Sequence, residues 1–270
     1  MARFSKTGKI AKGLVIFAAV ALAALNLFAY FFLDRLMFPA PAPSYGRDAQ
    51  GLVFLPDAGG EIAALWLPNP GAKKALLYCH GNGEDIGMAR SILDQIHDAG
   101  FSVLAMDYPG YGLTPGKASE TEAYRAAEAA FRFLVDDTGF APGDIIVHGF
   151  SIGSGSACFL SEKHPVGGLV FQGGFTSAPR VVTRLRLLIQ DPFPNIRRVK
   201  RINCPKLFIH GDRDPTVPYA LGCQVFEAAL GPKQFITVPG GGHTGLPGKM
   251  APGTFVGAIA KLAGIETRQE

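Results

Sequence analysis

The sequence predicts an α/β domain with a mostly parallel, eight-stranded sheet and helices on both faces. From residue 51 onwards, short apolar segments alternate with longer segments of helical periodicity. Gly59 and Gly60 separate the first two apolar segments, which predicts an antiparallel hairpin. A hairpin followed by strand–helix repeats is typical of a parallel sheet covered by helices. The eight predicted strands are residues 52–55, 61–67, 75–79, 102–106, 145–148, 168–171, 206–209 and 234–238.

The predicted helices lie between these strands and after the last one. Ser119 is a suitable N-cap for the longest of them. In sheets of this kind, ligands bind beyond the carboxyl ends of the strands, so we expect functional residues directly after strands. The five predicted helices are residues 86–99, 119–135, 152–163, 220–230 and 254–262.

An uncharged segment precedes this domain. Leu14 to Leu33 carries no charge over about twenty residues, the length that crosses a hydrocarbon core as a helix. The alternatives are a cleaved signal peptide and a buried core helix. The segment is long for a signal peptide, and the small residues at 40–42 are interrupted by proline, which disfavours cleavage. We therefore expect an uncleaved anchor.

These features divide the chain into four parts. We expect residues 1–13 to form a basic N-terminus, 14–33 a transmembrane anchor, 34–50 a linker and 51–265 the α/β domain. The prolines in 39–43 predict a stiff spacer. The positive-inside rule predicts a cytoplasmic N-terminus and a catalytic domain on the non-cytoplasmic side.

Charge and cysteine content exclude several classes of function. Arg3, Lys6, Lys9 and Lys12 account for the net charge of +4, and the rest of the chain has 22 basic and 22 acidic residues. We therefore expect no nucleic-acid binding. The four cysteines have no metal-ligand spacing, so we expect no metal site and no disulfide. They are Cys79, Cys158, Cys204 and Cys223.

A glycine-flanked serine is the strongest chemical motif. Gly149-Phe-Ser-Ile-Gly153 follows a predicted strand and opens a helix rich in small residues. A nucleophilic serine on such a sharp turn needs neighbours without side chains, and the helix N-terminus adds partial positive charge beside it. The alternative is a glycine-rich turn with a capping serine. The strand before and the helix after favour Ser151 as the nucleophile.

The base is predicted from chain order. In folds with this turn, the acid and then the histidine follow the serine. His164, His210 and His243 come after Ser151, but His164 directly follows the helix that the serine opens, and His210 precedes the acidic residues of its own loop. His243 follows the last strand in a glycine-rich loop that we expect to be flexible. Its alternative role is that of a solvated loop residue, but position and order favour the base.

Two aspartates compete for the role of the acid. Asp212 and Asp214 both follow the seventh strand. An aspartate in a turn often bonds its own backbone. We favour Asp214 because it lies further along the loop, and Asp212 stays open as an alternative.

We expect the loop after the third strand to supply one of the two backbone amides of an oxyanion hole. In this kind of site, one backbone amide comes from that loop and one from the residue after the nucleophile. These positions are Asn82 and Ile152. We expect His80 in the same loop to have a structural role.

The order of these motifs resembles the α/β-hydrolase superfamily. His80-Gly-Asn-Gly, Asp107-Tyr-Pro-Gly-Tyr-Gly, Gly149-Phe-Ser-Ile-Gly, His210-Gly-Asp-Arg-Asp and Gly242-His occur in that family's order. Within it, the chain is most similar to small, single-anchor serine hydrolases related to the depalmitoylases of the ABHD type. Even Arg35-Leu-Met-Phe-Pro looks like their entry segment.

The resemblance covers nearly the whole chain. It implies an α/β-hydrolase fold, a Ser151–Asp214–His243 triad with the Asn82 and Ile152 amides as oxyanion hole, and esterase or thioesterase chemistry without a cofactor. The depalmitoylases carry a lipidated, cysteine-rich N-terminus, whereas this chain has an apolar helix. Depalmitoylase activity is therefore not carried over.

The interval between Gln172 and Pro205 is where this fold accepts lids, and residues 173–204 are called the lid segment below. It is short, so we expect a shallow or open pocket. Its basic residues predict either a solvated face or contact with anionic lipid head groups. They are Arg180, Arg184, Arg186, Arg197, Arg198, Lys200 and Arg201, and the acidic residue among them is Asp191.

Three functions are compatible with these residues. The first is hydrolysis of acyl esters or thioesters, with a small-molecule or lipid substrate. The second is a peptidase or amidase on the same scaffold. The third, a binding protein without activity, is disfavoured because such proteins lose triad members. The sequence leaves the physiological substrate and the oligomeric state open.

Overall fold

The computed structural model of the chain describes residues 6–183 and 187–265. Arg3, Arg184 and Arg186 lie outside these ranges. Numbered in chain order, the strands are β1 Leu52–Asp57, β2 Gly60–Leu67, β3 Ala75–Cys79, β4 Ser102–Met106, β5 Ile145–Phe150, β6 Gly168–Gln172, β7 Lys206–Gly211 and β8 Lys233–Val238.

The helices agree with the predicted ones and add short turns in the lid segment. They are α1 Lys6–Met37, α2 Arg90–Asp98, α3 Glu120–Arg132, α4 Gly153–Lys163, α5 Ala178–Val182, α6 Asn195–Arg198, α7 Tyr219–Ala228 and α8 Thr254–Leu262.

The strands form one sheet in the order β1-β2-β4-β3-β5-β6-β7-β8. The β1–β2 and β2–β4 pairs are antiparallel and the other pairs are parallel. Every residue of β3, β4, β5 and β6 is buried, because helices cover both faces. The buried side chains of α3, α4 and α7 pack on one face of the sheet, and those of α2 and α8 on the other. The predicted fold class is confirmed.

Two helix boundaries differ from the prediction for local reasons. The α2 helix begins at Arg90 and not at residue 86, because Asp85 accepts a hydrogen bond from the amide of Met88 and holds a turn there. The α3 helix ends in a wider π-helical turn at Phe133–Asp137. Ser119 caps α3 as predicted and accepts a hydrogen bond from the amide of Glu122.

The apolar N-terminal segment is one continuous helix. Gly8–Met37 is long and apolar enough to cross a membrane by length and composition. Residues 9–25 are exposed on every side. In the second half, Asn26, Ala29, Leu33 and Met37 are partly or fully buried. Because these positions are three or four residues apart, they form one stripe that faces the domain.

The residues on either side of the predicted spacer at 39–43 contact the domain. Phe38 is buried against the rings of Tyr108, Tyr111 and Phe193. Further along, the amide of Ser44 donates to Asp85 over 2.6 Å. Both ends of the segment are therefore attached to the domain, whereas residues 39, 40, 42 and 43 between them are exposed, and the stiff spacer stays a prediction.

Candidate active site

Ser151 occupies a strained backbone conformation between β5 and α4. Its φ is 54°, in the left-handed region that side chains other than glycine rarely adopt. Such a conformation costs roughly 1–3 kcal/mol, which the surrounding sheet and helix must offset. Its amide donates to the carbonyl of Gln172 in the neighbouring strand β6. The turn therefore fixes where the Ser151 hydroxyl points.

The flanking glycines are required by close packing. A Cβ on Gly149 would lie 2.5 Å from the carbonyl oxygen of Gly153. A Cβ on Gly153 would lie 2.1 Å from the carbonyl oxygen of Cys79 at the end of β3. Neither glycine has a positive φ, so absence of a side chain and not backbone freedom is what the turn needs.

The structure brings together the three residues predicted for the triad. The Nε2 atom of His243 lies 2.8 Å from the Oγ atom of Ser151. The Nδ1 atom of His243 lies 2.7 Å from the Oδ2 atom of Asp214. Ser151 follows β5, Asp214 follows β7 and His243 follows β8, so all three stand at the carboxyl edge of the sheet.

Asp214 is a fully buried carboxylate with both oxygens in use. Its Oδ1 accepts the amides of Thr216 and Val217, each at 2.8 Å. Burial by itself raises the pKa of the Asp214 carboxyl, but hydrogen bonds from His210 and His243 outweigh it and hold the pKa well below its usual range. A carboxylate can only accept hydrogen bonds, so the Nδ1 atom of His243 carries a proton. The Nε2 atom of a neutral His243 is then free to accept the Ser151 proton.

Asp212 has a role that differs from the predicted one. The expectation was that it bonds its own turn, and that Asp214 lies beyond the turn. Instead, Asp214 holds the turn, and the Oδ1 atom of Asp212 accepts the amide of Gly240 over 2.7 Å. The amide of Arg213 also donates to the carbonyl of Gly241. The loop that carries His243 is therefore bonded to the loop that carries Asp214, contrary to the expected flexibility.

His210 contacts Asp214, which the order of residues along the chain did not predict. It is buried, and its Nε2 lies 3.0 Å from the carbonyl oxygen of Val217 and 3.2 Å from Oδ2 of Asp214. Because a carbonyl only accepts, Nε2 carries the proton and can share it with the carboxylate. The signal in the sequence was the four-residue spacing of His210 and Asp214.

The two residues predicted to supply the oxyanion-hole amides lie in the same cavity wall as Ser151. Asn82 and Ile152 line the same cavity as the serine. Within residues 6–183 and 187–265, no protein acceptor is bonded to either amide. The hydroxyl of Tyr111 donates to the carbonyl of Asn82 over 2.9 Å, and the Asn82 side chain donates to the carbonyl of Met37 at the end of α1 over 3.2 Å. His80 is buried in this loop and lies against Asp107, in keeping with a structural role.

The pocket has a wall that the lid segment alone does not supply. A cavity of about 470 Å³ begins at Ser151. Apart from Asn82, Ser151, Thr183 and Thr216, the described residues that line it are apolar. The expectation of a shallow or open pocket considered the lid segment alone, whereas Leu33 and Met37 of α1 also form part of the wall.

Three basic residues of the lid segment form ion pairs with acidic side chains. Arg198 and Arg201 both pair with Glu162 of α4, and Arg197 pairs with Asp191. The guanidinium of Arg198 also lies over the ring of Tyr124 at 5.0 Å. These pairs favour the interpretation that this part of the segment is an ion-paired face.

Comparison with known proteins agrees with this geometry. A family model described as alpha/beta hydrolase fold matches residues 74–192. An uncharacterized protein of Mycobacterium tuberculosis is 32% identical over 254 residues, which cover 87% of this chain and 89% of that protein. Human alpha/beta hydrolase domain-containing protein 17B is 31% identical over 189 residues, which cover 68% of this chain and 66% of that protein. The chain belongs to the α/β-hydrolase family.

A solved structure gives the same fold. A Pyrococcus furiosus esterase superposes with a TM-score of 0.69 at 15% sequence identity, and the match covers 83% of this chain and 97% of that chain. At this identity the likeness concerns the fold. The resemblance inferred from the motifs is therefore confirmed by both sequence and structure.

The glycine packing gives a stability prediction. Gly153→Ala places a methyl group against the Cys79 carbonyl, so we expect a loss of about 1–3 kcal/mol or more from overpacking. Gly257→Ala in α8 is the matched control, because nothing lies within 4 Å of its Cβ position. Alanine there should stabilise the helix by about 0.5–1 kcal/mol. Thermal melts of both full-length variants measure the difference, and equal shifts would contradict the packing role of Gly153.

Proposed function

We propose that this protein is a serine hydrolase that cleaves acyl esters or thioesters through an acyl-enzyme intermediate. The hydrogen-bonded series Ser151–His243–Asp214 at one end of an apolar cavity carries the proposal. The name of the Pyrococcus neighbour, an esterase, supports the same class of reaction.

The first half of the reaction forms the acyl-enzyme. The Ser151 oxygen attacks the carbonyl carbon of the substrate while Nε2 of His243 takes the hydroxyl proton. The negative Asp214 holds Nδ1–H and stabilises the imidazolium that results. The carbonyl oxygen becomes an oxyanion, which the amides of Asn82 and Ile152 stabilise by roughly 3 kcal/mol each. The partial positive charge at the start of α4 adds to this.

The intermediate then collapses and expels the leaving group. The carbon–oxygen or carbon–sulfur bond breaks, and His243 gives its proton to the departing alcohol or thiol. A water molecule, deprotonated by His243, attacks the acyl-serine in the second half. Release of the carboxylic acid returns the proton to Ser151 and regenerates the free enzyme.

The cavity lining favours esters and thioesters over peptides. A peptidase or amidase would use the same triad and needs polar recognition of its substrate. Along the described cavity wall there is no acidic residue to bind an amino terminus. An apolar wall suits a hydrocarbon acyl group. The peptidase alternative therefore ranks second, and a binding protein without activity ranks third.

The nucleophile can be tested directly. Ser151→Ala should abolish hydrolysis of p-nitrophenyl butyrate and labelling by a fluorophosphonate probe, because both need the Ser151 oxygen. Ser91→Ala, at an exposed position in α2, is the control and should retain both. Aminoacyl-anilides assayed in parallel distinguish the peptidase alternative. Labelling of the Ser151→Ala protein at the level of the control would exclude this serine.

The two aspartates give a second test with matched substitutions. Asp214→Asn should lower kcat by about 10⁴, because the amide cannot hold His243 in the required tautomer. Asp212→Asn should retain most activity, because its remaining oxygen can still accept the Gly240 amide. Measurements of kcat on one short ester, with melting curves as folding control, decide between them. An inactive Asp212→Asn beside an active Asp214→Asn would reverse the assignment.

We further propose that this chain is a single-pass membrane protein. Its N-terminus lies in the cytoplasm and its catalytic domain on the non-cytoplasmic side of the membrane. Lys9 and Lys12 before the apolar segment support this orientation. Protease added from the non-cytoplasmic side of sealed membranes should then cut the domain. Cleavage from the cytoplasmic side alone would show the opposite orientation.

A further inference from the structure

The N-terminal helix is part of the pocket as well as a membrane anchor. We propose, on the basis of the hydrolase function above, that the cavity beside Ser151 holds the acyl chain of a membrane-embedded ester. The chain enters sideways from the bilayer, between the second half of α1 and the lid segment. Asn26 holds the lid segment on the helix.

The wall of the cavity includes one face of the segment predicted to span the membrane. Leu25, Ala29, Leu33 and Leu36 line the cavity from α1. Three of these lie within residues 14–33, so the cavity reaches the depth of the hydrocarbon core if that segment crosses the bilayer. The apolar wall therefore connects that depth with Ser151, and an apolar chain can follow it without passing through water.

Asn26 makes two hydrogen bonds with backbone groups of the lid segment. Its Nδ2 donates to the carbonyl of Leu187 over 3.0 Å, and the amide of Ile189 donates to its Oδ1 over 2.7 Å. Asn26 lies eight residues before Asp34, which places it roughly 12 Å along the helix from that charge. An amide side chain and irregular backbone at this depth both need partners, because lipid offers none. Their mutual pairing explains how a non-helical segment can lie beside a membrane helix.

The rim of this opening is apolar and exposed. Val182 of the lid segment lines the cavity and is 92% exposed, and Ile189 is 88% exposed. Phe28 and Leu36 of α1 line it from the other side and are also exposed. Large aliphatic and aromatic side chains grouped in this way are typical of a surface that contacts lipid.

The size of the cavity suits a long acyl chain. A methylene group takes about the space of a water molecule, about 30 Å³, so the cavity of about 470 Å³ accommodates on the order of ten or more carbons. A short ester would leave most of the apolar wall without a partner. The preferred substrate is therefore a long-chain acyl ester that resides in the bilayer.

The first arm of the test measures chain-length preference in lipid vesicles. The full chain is assayed with p-nitrophenyl butyrate and p-nitrophenyl laurate. Leu33→Trp narrows the cavity, and we expect the laurate-to-butyrate ratio of kcat/KM to fall by about tenfold or more. Leu27→Trp is the matched control on the exposed face of the same helix and should keep the wild-type ratio. Asn26→Leu should lower the ratio as well, because it frees the lid segment.

The second arm measures contact with lipid without any activity. In a Trp66→Phe background, Ile189→Trp places a fluorophore at the rim, and Leu230→Trp places one at an exposed site near the start of β8. Lipids with brominated acyl chains should quench the first and leave the second unchanged.

The outcomes are distinct. An unchanged laurate-to-butyrate ratio in Leu33→Trp overturns the acyl site. Equal quenching at both tryptophans overturns entry from the bilayer. A lowered ratio without quenching at residue 189 overturns entry from the bilayer as well. A wild-type protein that hydrolyses neither ester overturns the hydrolase function itself.

Discussion

The strained turn at Ser151 is the constraint on which the site depends. One residue in the left-handed region joins β5 to α4 and directs its hydroxyl away from the sheet. The same turn leaves the Ile152 amide unbonded and brings the start of α4 against the end of β3. Asn82, which follows β3, lines the same cavity as Ser151. The backbone conformation at Ser151 thus sets the positions of the serine and of the start of α4, and two glycines make it sterically possible.

The acid and the base behave as one unit because their loops are bonded to each other. Asp214 uses one oxygen to hold its own loop and the other to hold His243. Asp212 accepts an amide from the histidine loop, so the Asp212 side chain restricts where His243 can lie. His210 adds a second donor beside the carboxylate of Asp214. The ionised state of Asp214 is stabilised by these donors in spite of its burial.

The N-terminal helix is joined to the site at both the lid segment and the oxyanion loop. Asn26 bonds the backbone around residues 187–189, and the carbonyl of Met37 accepts the Asn82 side chain. Between these two points the helix forms part of the wall of the cavity. The helix that is long and apolar enough to cross a membrane therefore also forms part of the wall of the cavity beside Ser151.

The sequence by itself determined the sheet, the family and the identity of the three hydrogen-bonded residues Ser151, His243 and Asp214. Those features are local: apolar runs specify buried strands, and the turn at Ser151 is encoded by five consecutive residues. Only the tertiary structure decided which groups Asp212, His210 and Asn26 contact. Asn26 and Leu187 are 161 residues apart, and no periodicity or turn preference relates positions at that separation. The wall of the pocket is a second example, because part of it comes from a helix that the sequence presents as an anchor alone. Pairing of buried polar groups, and burial of apolar area between distant segments, supply information that a linear pattern does not contain.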